Sequence, residues 1–276
     1  MDKKIKIGIM GVGMIGDVHI KNIRKDGRGK VIWIASRTQK TLDRKMKKFD
    51  ISQGTLDYRE ILQDPQVEAV IIASPPHTHS EMALAALEAG KHILLEKPMA
   101  ISYEEVKQIT TAVRKHPEQL VLECSCRHAR LQPKFPFIKQ IIDSGKLGKV
   151  YHIHHNHLMR RTFIEYNPAG KWSLEKEKAG GGPFLDQGVY DLSFHLGLLG
   201  DVPNLTSIKS FTKKGLKTFP DKSIHQDIEE HGAAYMEFDA GLTYYYERGA
   251  GVHCDVNNET RICGTKGGLR FGFNSW

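Results

Sequence analysis

Short apolar runs and helix-spaced apolar residues alternate along the first 126 positions. The runs lie at 5–10, 31–35, 69–73, 92–95 and 120–124. The run at 31–35, Val-Ile-Trp-Ile-Ala, is nearly continuous, which suits a parallel strand buried on both faces. Between the runs, 15–25, 38–49, 79–89 and 102–115 read as helices. The last begins Ser102-Tyr103-Glu104-Glu105, a capping box with serine at the N-cap and glutamate three residues on. Strands alternating with helices of this length predict βαβ units and a doubly wound parallel sheet.

The pattern changes after residue 126. A helix is predicted over 133–144, stopped by Gly145. A strand follows at 150–158 and another helix at 183–199. Strands at 205–212, 233–238, 242–248 and 259–263 complete the chain, with Asp239-Ala240-Gly241 as a hairpin turn between two of them. The expected class is α/β. A doubly wound dinucleotide-binding domain spans 1–126, and an α+β domain with an open, mostly antiparallel sheet spans 127–276.

Composition narrows the class further. The 276 residues are 40% apolar and 26% charged, an ordinary globular balance that argues against disorder, collagen and coiled coil. No apolar run reaches 18 residues, so no transmembrane helix is expected. The N-terminus lacks a leader pattern, and four cysteines are too few for a disulfide scaffold, so a cytoplasmic location is expected. Residues 1–50 carry 14 basic and 5 acidic side chains, while the rest is nearly balanced. Such an excess suits nucleic acid, a membrane surface or an anionic small molecule. A solvated basic helix at 44–48 accounts for much of it. No aromatic residues interleave the basic ones as a stacking platform requires. Neither nucleic acid nor membrane is therefore expected as a partner.

The chemistry begins at Gly11-Val12-Gly13-Met14-Ile15-Gly16, a G-x-G-x-x-G between a predicted strand and a predicted helix. Gly11 permits the tight turn, Gly13 lets backbone approach a pyrophosphate, and Gly16 lets helix and strand pack closely. The helix N-terminus at Met14 and Ile15 then offers unpaired N–H groups to the phosphates. An acid about 20 residues further on would bond the ribose 2′-OH of NAD. Ser36, Arg37 and Thr38 stand there instead, which suits a 2′-phosphate. The expected cofactor is NADP, with NAD as the alternative.

Ala73-Ser74-Pro75-Pro76-His77-Thr78-His79 and Gly90-Lys91-His92-Ile93-Leu94-Leu95-Glu96-Lys97-Pro98, with the glycine loop, resemble the Gfo/Idh/MocA family of oxidoreductases. The resemblance continues through Arg130-Leu131-Gln132-Pro133, Lys171-Trp172 and Gly180-Gly181-Gly182-Pro183-Phe184-Leu185-Asp186-Gln187-Gly188-Val189-Tyr190. It implies a Rossmann domain, a nicotinamide cofactor, a sugar, cyclitol or dihydrodiol substrate, and a homodimer or homotetramer. It implies cofactor contacts at Ser74, Pro75, His79, Glu96 and Lys97. It implies substrate contacts at Arg130, Trp172, Asp186 and Tyr190, a catalytic Lys97, and a cis Lys97–Pro98 peptide.

A lysine at the carboxyl end of a parallel strand also sits where open α/β sheets bind ligands. A partly desolvated ammonium beside a cationic nicotinamide suits proton transfer. Asp186 and Tyr190 lie four apart on the predicted helix and share a face. The family often carries histidine where Tyr190 stands. Tyrosine there is similar to glucose–fructose oxidoreductase and to dimeric dihydrodiol and xylose dehydrogenases, and it would serve as a proton-transfer partner for Lys97. Asp186 would orient the substrate hydroxyl or Lys97. Asp191 and His195, also four apart, form a competing pair.

His152, His154, His155 and His157 crowd one strand, two on each face, and we assign no metal to them. Trp172 suits either stacking on a sugar or a structural position. Family members continue past the Gly264–Gly268 segment, so the second domain is expected to lack its last elements. Two alternatives stand beside a simple dehydrogenase or reductase: a glucose–fructose-type oxidoreductase that retains its cofactor, and a non-catalytic NADP-sensing protein.

Overall fold

A computed structural model describes residues 3–161, 163–166, 170–200, 204–216, 225–254 and 256–272. The chain divides into two units, Met1–Cys124 and Ser125–Trp276.

The first unit is built on six parallel strands: β1 (Ile5–Met10), β2 (Gly29–Ala35), β3 (Gln53–Thr55), β4 (Ala69–Ile72), β5 (His92–Leu95) and β6 (Val121–Glu123), in the order β3-β2-β1-β4-β5-β6. Five helices connect them: α1 (Met14–Asp26), α2 (Gln39–Phe49), α3 (Arg59–Gln63), α4 (His79–Glu88) and α5 (Tyr103–Lys115). Adjacent residues of one strand serve opposite layers. Ile9, Ile34 and Ile71 pack with Ile20 of α1 and Leu42 and Phe49 of α2. Met10, Ile72 and Leu95 pack with Ile61 of α3, Ala83 and Leu87 of α4 and Ile109 of α5. Two buried faces explain why the strand sequences run apolar without alternation. Each fully buried isoleucine contributes about 1.5–3 kcal/mol, so layer packing outweighs helix propensity.

Local signals set the helix ends. The Thr38 hydroxyl accepts from the Thr41 N–H at 3.4 Å to start α2, and Ser102 accepts from the Glu105 N–H at 3.2 Å to start α5. Glu105 closes the capping box one residue early, accepting from the Ile101 N–H at 3.0 Å. β3 and α3 were not legible in the sequence, being three and five residues long. The apolar run at 120–124 yields only three strand residues, because Cys124 opens a 3-10 turn, Cys124–His128.

The second unit holds β7 (Val150–Met159), β8 (Leu205–Lys213), β9 (His231–Phe238), β10 (Thr243–Ala250), β11 (Glu259–Gly264) and β12 (Gly268–Gly272), ordered β12-β11-β7-β10-β9-β8. Every neighbouring pair is antiparallel except β7 with β10. The expected open, mostly antiparallel sheet is therefore observed. Its helices are α6 (Lys134–Asp143), α7 (Phe163–Tyr166), α8 (Lys176–Ala179), α9 (Pro183–Asp186) and α10 (Gly188–Leu198). One sheet face, with Ile153, Tyr244, Tyr246 and Ile262, packs on Ile138 of α6 and on Phe194 and Leu198 of α10. The helix expected over 183–199 breaks at Gln187, whose φ of −114° interrupts the turn between α9 and α10. The hairpin between β9 and β10 turns through Ala240 and Gly241, both at positive φ (59° and 76°).

Candidate active site

In the first unit the sheet order reverses beside β1, which opens a crevice at the carboxyl ends of β1 and β4. The glycine loop sits there. Gly11 has φ +103°, and a Cβ on it would lie 2.6 Å from the Ser74 backbone nitrogen. A Cβ on Gly16 would lie 2.4 Å from the Gly11 carbonyl oxygen, so helix α1 approaches the loop too closely for any side chain. A Cβ on Gly13 would meet nothing within 4 Å. That open space, beside a helix start that no side chain caps, fits a pyrophosphate held by the first-turn N–H groups of Met14 and Ile15.

The turn after β2 is fixed by the Ser36 N–H, which donates to the Thr55 carbonyl at 3.1 Å. Arg37 is exposed, and Thr38 caps α2. No carboxylate stands at 36–38. Asp17, in the first turn of α1, pairs with Lys45 and Lys48 of α2. Burial pushes this carboxyl up, but the two ammonium groups outweigh it and hold the acid below its ordinary range.

Ser74, Pro75 and His79 follow β4. The His79 ring is 1% exposed and makes contacts at 2.8 Å with the Pro98 carbonyl and 2.9 Å with the Ser74 carbonyl. It ties the β4 loop to the β5 loop. Burial pushes the ring below its ordinary pKa, against two carbonyls that favour the cation. Glu96 is likewise enclosed: one carboxylate oxygen lies 2.8 Å from His19 Nε2, and the other accepts from the Lys97 N–H at 3.2 Å. Lys97 is half-buried just past the carboxyl end of β5, and its peptide to Pro98 is cis. The carboxyl edge of one sheet therefore presents the glycine loop, Ser74 and Lys97.

In the second unit Tyr190 lies in the first turn of α10 and is 8% exposed. Its hydroxyl accepts from an Arg127 guanidinium N–H at 3.1 Å, and its ring meets His128 edge-on at 5.1 Å. No sequence pattern singles out Arg127; its place three positions before Arg130 is the available signal. Asp186 ends α9 and accepts from the Gln187 side chain at 2.9 Å. The break at Gln187 removes the shared helical face expected for Asp186 and Tyr190. Arg130 is exposed and donates to the Ser193 carbonyl at 3.2 Å. Trp172 is half-buried in a 3-10 turn, Lys171–Leu174.

A cavity in this unit is lined by Tyr190, Asp191, His155, His157, His195 and Lys134, among others. Asp191 is its electrostatic centre. The carboxylate accepts from Arg248 and, at 3.0 Å, from the Tyr246 hydroxyl, and it lies 3.4 Å from His155 Nε2. Burial works to raise this acid, but His155 and Arg248 hold it well below the ordinary carboxylate range. His195 lies 2.6 Å from the Tyr244 hydroxyl and 3.0 Å from Thr260 Oγ1, and complete burial pushes it well below its ordinary value. His157 is pushed down to about 4, by burial first and then by Arg248. The pair Asp191 and His195 is thus knit into the floor of the cavity. The four strand histidines divide as their alternation requires: His155 faces this core, while His154 stacks on Tyr245 on the other face at 4.8 Å.

A parallel sheet in this strand order, opened by a glycine turn with room for a pyrophosphate, defines a dinucleotide-binding unit. The chain belongs to the Gfo/Idh/MocA oxidoreductase family. The family's NAD-binding Rossmann model matches residues 5–123, and its C-terminal domain model matches 135–270. An uncharacterized oxidoreductase of Bacillus subtilis, YrbE, is 32% identical over 72% of this chain and 55% of its own. The scyllo-inositol 2-dehydrogenase (NAD(+)) of the same organism is 26% identical over 99% of this chain and 75% of its own. The crystal structure of scyllo-inositol dehydrogenase from Lactobacillus casei, with NAD(H) and scyllo-inositol, superposes with a TM-score of 0.80. It is 25% identical and covers 98% of this chain and 76% of that one. The chain thus spans between about half and three quarters of the length of these relatives. Among the described residues no helix is long and apolar enough to cross a membrane.

Proposed function

We propose that this protein is a nicotinamide-dependent dehydrogenase or reductase acting on a CH–OH carbon of a cyclitol, sugar or dihydrodiol. The observation that carries this is the half-buried Lys97 on the same sheet edge as the open Gly13 turn. The inositol dehydrogenases among its relatives support a polyol substrate. A bound nicotinamide would accept or supply the hydride. The backbone of Gly11, Gly13, Met14, Ile15 and Gly16 would hold its pyrophosphate, and Ser74 and Pro75 would flank it. Lys97 would take the proton from the substrate hydroxyl or return it. Tyr190 would share that proton, Asp186 would orient the hydroxyl, and Arg130 and Trp172 would contact the substrate. Four cysteines without a disulfide suit a cytoplasmic enzyme.

The cofactor preference follows from Ser36, Arg37 and Thr38. A guanidinium and two hydroxyls suit the 2′-phosphate of NADP, and no acid is present for a 2′-OH. A panel of cyclitols, sugars and diols, followed by reduced-nicotinamide absorbance, tests both points. At least one member should react, and kcat/KM should be higher with NADP than with NAD. Arg37→Asp should lower kcat/KM for NADP by about 10- to 100-fold, the value of a charge-assisted contact. Equal use of NAD by the wild type would overturn the preference.

The same reading includes self-association through the second sheet. The face turned away from α10 carries a row across six strands: Lys209, Tyr235, Tyr245, His154, Arg261 and Arg270 in direct register. Tyr235 and nearby Phe211 are 41% and 48% exposed. A second copy of this face would bury these rings and pair their stacking edges. Sedimentation should show a dimer or tetramer that Tyr235→Asp weakens; a monomeric wild type at micromolar concentration would refute this.

A further inference from the structure

We propose that His19, Glu96 and Cys124 form a binding site for a divalent ion of the zinc class. The three residues come from α1, the end of β5 and the end of β6. They are 8%, 5% and 4% exposed. One donor atom from each, an imidazole nitrogen, a carboxylate oxygen and the thiol sulfur, lies within 4.8 Å of the other two.

The donor set is what selects the ion. Thiolate and imidazole favour zinc and cobalt over magnesium and calcium, which prefer oxygen alone. Three protein ligands around zinc, at about 2.0–2.3 Å each, leave one position open. Tetrahedral geometry at those lengths separates the donors by roughly 3.3–3.8 Å. His19 Nε2 and Glu96 Oε1 stand at 2.8 Å, so they open slightly while the sulfur closes in.

Charge favours occupancy as well. Without an ion, a carboxylate, an imidazole and a thiol are stabilised by the His19–Glu96 contact and by protons. A divalent ion replaces the thiol proton and places positive charge beside the Glu96 carboxylate. Affinity therefore rises with pH. The fold gives the site a consequence. His19 lies on the helix that opens at Gly13, and Glu96 precedes Lys97, so an ion there fastens the nucleotide helix to the strand that presents the lysine. The histidine-rich strand β7 of the second unit has no part in it.

Cobalt(II) is the probe, because a thiolate ligand gives an intense sulfur-to-cobalt band in the near ultraviolet. The full-length chain, stripped with a chelator, is titrated with cobalt at neutral pH. The expected result is a band that saturates at one equivalent and is displaced by zinc. Cys124→Ser should abolish it, whereas Cys126→Ser and Cys254→Ser should leave it intact. Should Cys124→Ser fail to fold by circular dichroism, His19→Gln gives the same reading, with the intensity or affinity reduced. A wild-type chain without the band, or a folded Cys124→Ser protein that retains it, overturns the proposal. None of these outcomes depends on the substrate or on turnover.

Discussion

Lys97→Ala is expected to lower kcat by about 10²- to 10⁴-fold, the usual contribution of a positioned proton-transfer group. The dinucleotide should still bind with nearly unchanged affinity. The separation follows from the fold. The proposed pyrophosphate cradle is backbone at Gly11, Gly13 and Gly16, and the close approaches at Gly11 and Gly16 involve Ser74, Ala73 and the loop itself rather than the Lys97 side chain. The backbone of Lys97 is fixed independently, by the Glu96 carboxylate and by the His79 bond to the Pro98 carbonyl. Truncating the side chain therefore removes the ammonium without releasing the loop. Stopped-flow turnover beside a fluorescence titration of reduced dinucleotide reads the two quantities separately. A variant that keeps most of its kcat would refute the assigned role.

Arg248→Met should destabilise the second unit by about 3–5 kcal/mol, the cost of leaving a buried charge without its partner. Arg248 and Asp191 are 2% and 6% exposed, and the guanidinium donates directly to that carboxylate. His155 Nε2 stands 3.4 Å away as a second partner of the same carboxylate. The double variant Arg248→Met with Asp191→Leu removes both charges and should recover most of the lost stability, since apolar replacement of a buried pair is often neutral. Urea unfolding of the wild type and the two variants measures the coupling. A single variant within about 1 kcal/mol of wild type would show that the carboxylate is not charged as described.

Much of the first unit was legible because each signal was local and repeated. Ile9 and Met10, or Ile71 and Ile72, sit side by side yet serve opposite layers, and that double burial is written as an unbroken apolar run. The glycine loop was legible because three steric demands fall at fixed spacing, one on a positive φ, one on an open space, one on a contact of 2.4 Å. The elements missed, β3 and α3, are too short to complete a period.

The second unit was less legible, because its important contacts join distant segments. Asp191 meets Tyr246 and Arg248 across more than fifty residues, and His195 meets Thr260 across 65. One signal was available. Tyr244, Tyr246 and Arg248 alternate along β10, so Arg248 must share the buried face of the two tyrosines. A charge on a buried face requires a partner, and Asp191 is that partner. The break at Gln187 carried no helix-breaking residue at that position. Gly188 follows it with Tyr246 Oη only 2.7 Å from where a Cβ would stand, so packing against β10 admits only glycine just past the break.

The role of Lys97 is read most directly from reduced-nicotinamide formation by wild type and Lys97→Ala on the same substrate panel, with bound dinucleotide measured in parallel. Wild type should give an absorbance rise with at least one polyol and NADP, and the variant should bind the dinucleotide equally well yet stall. Saturated dinucleotide with no turnover on any member, or equal rates for the two proteins, would contradict it.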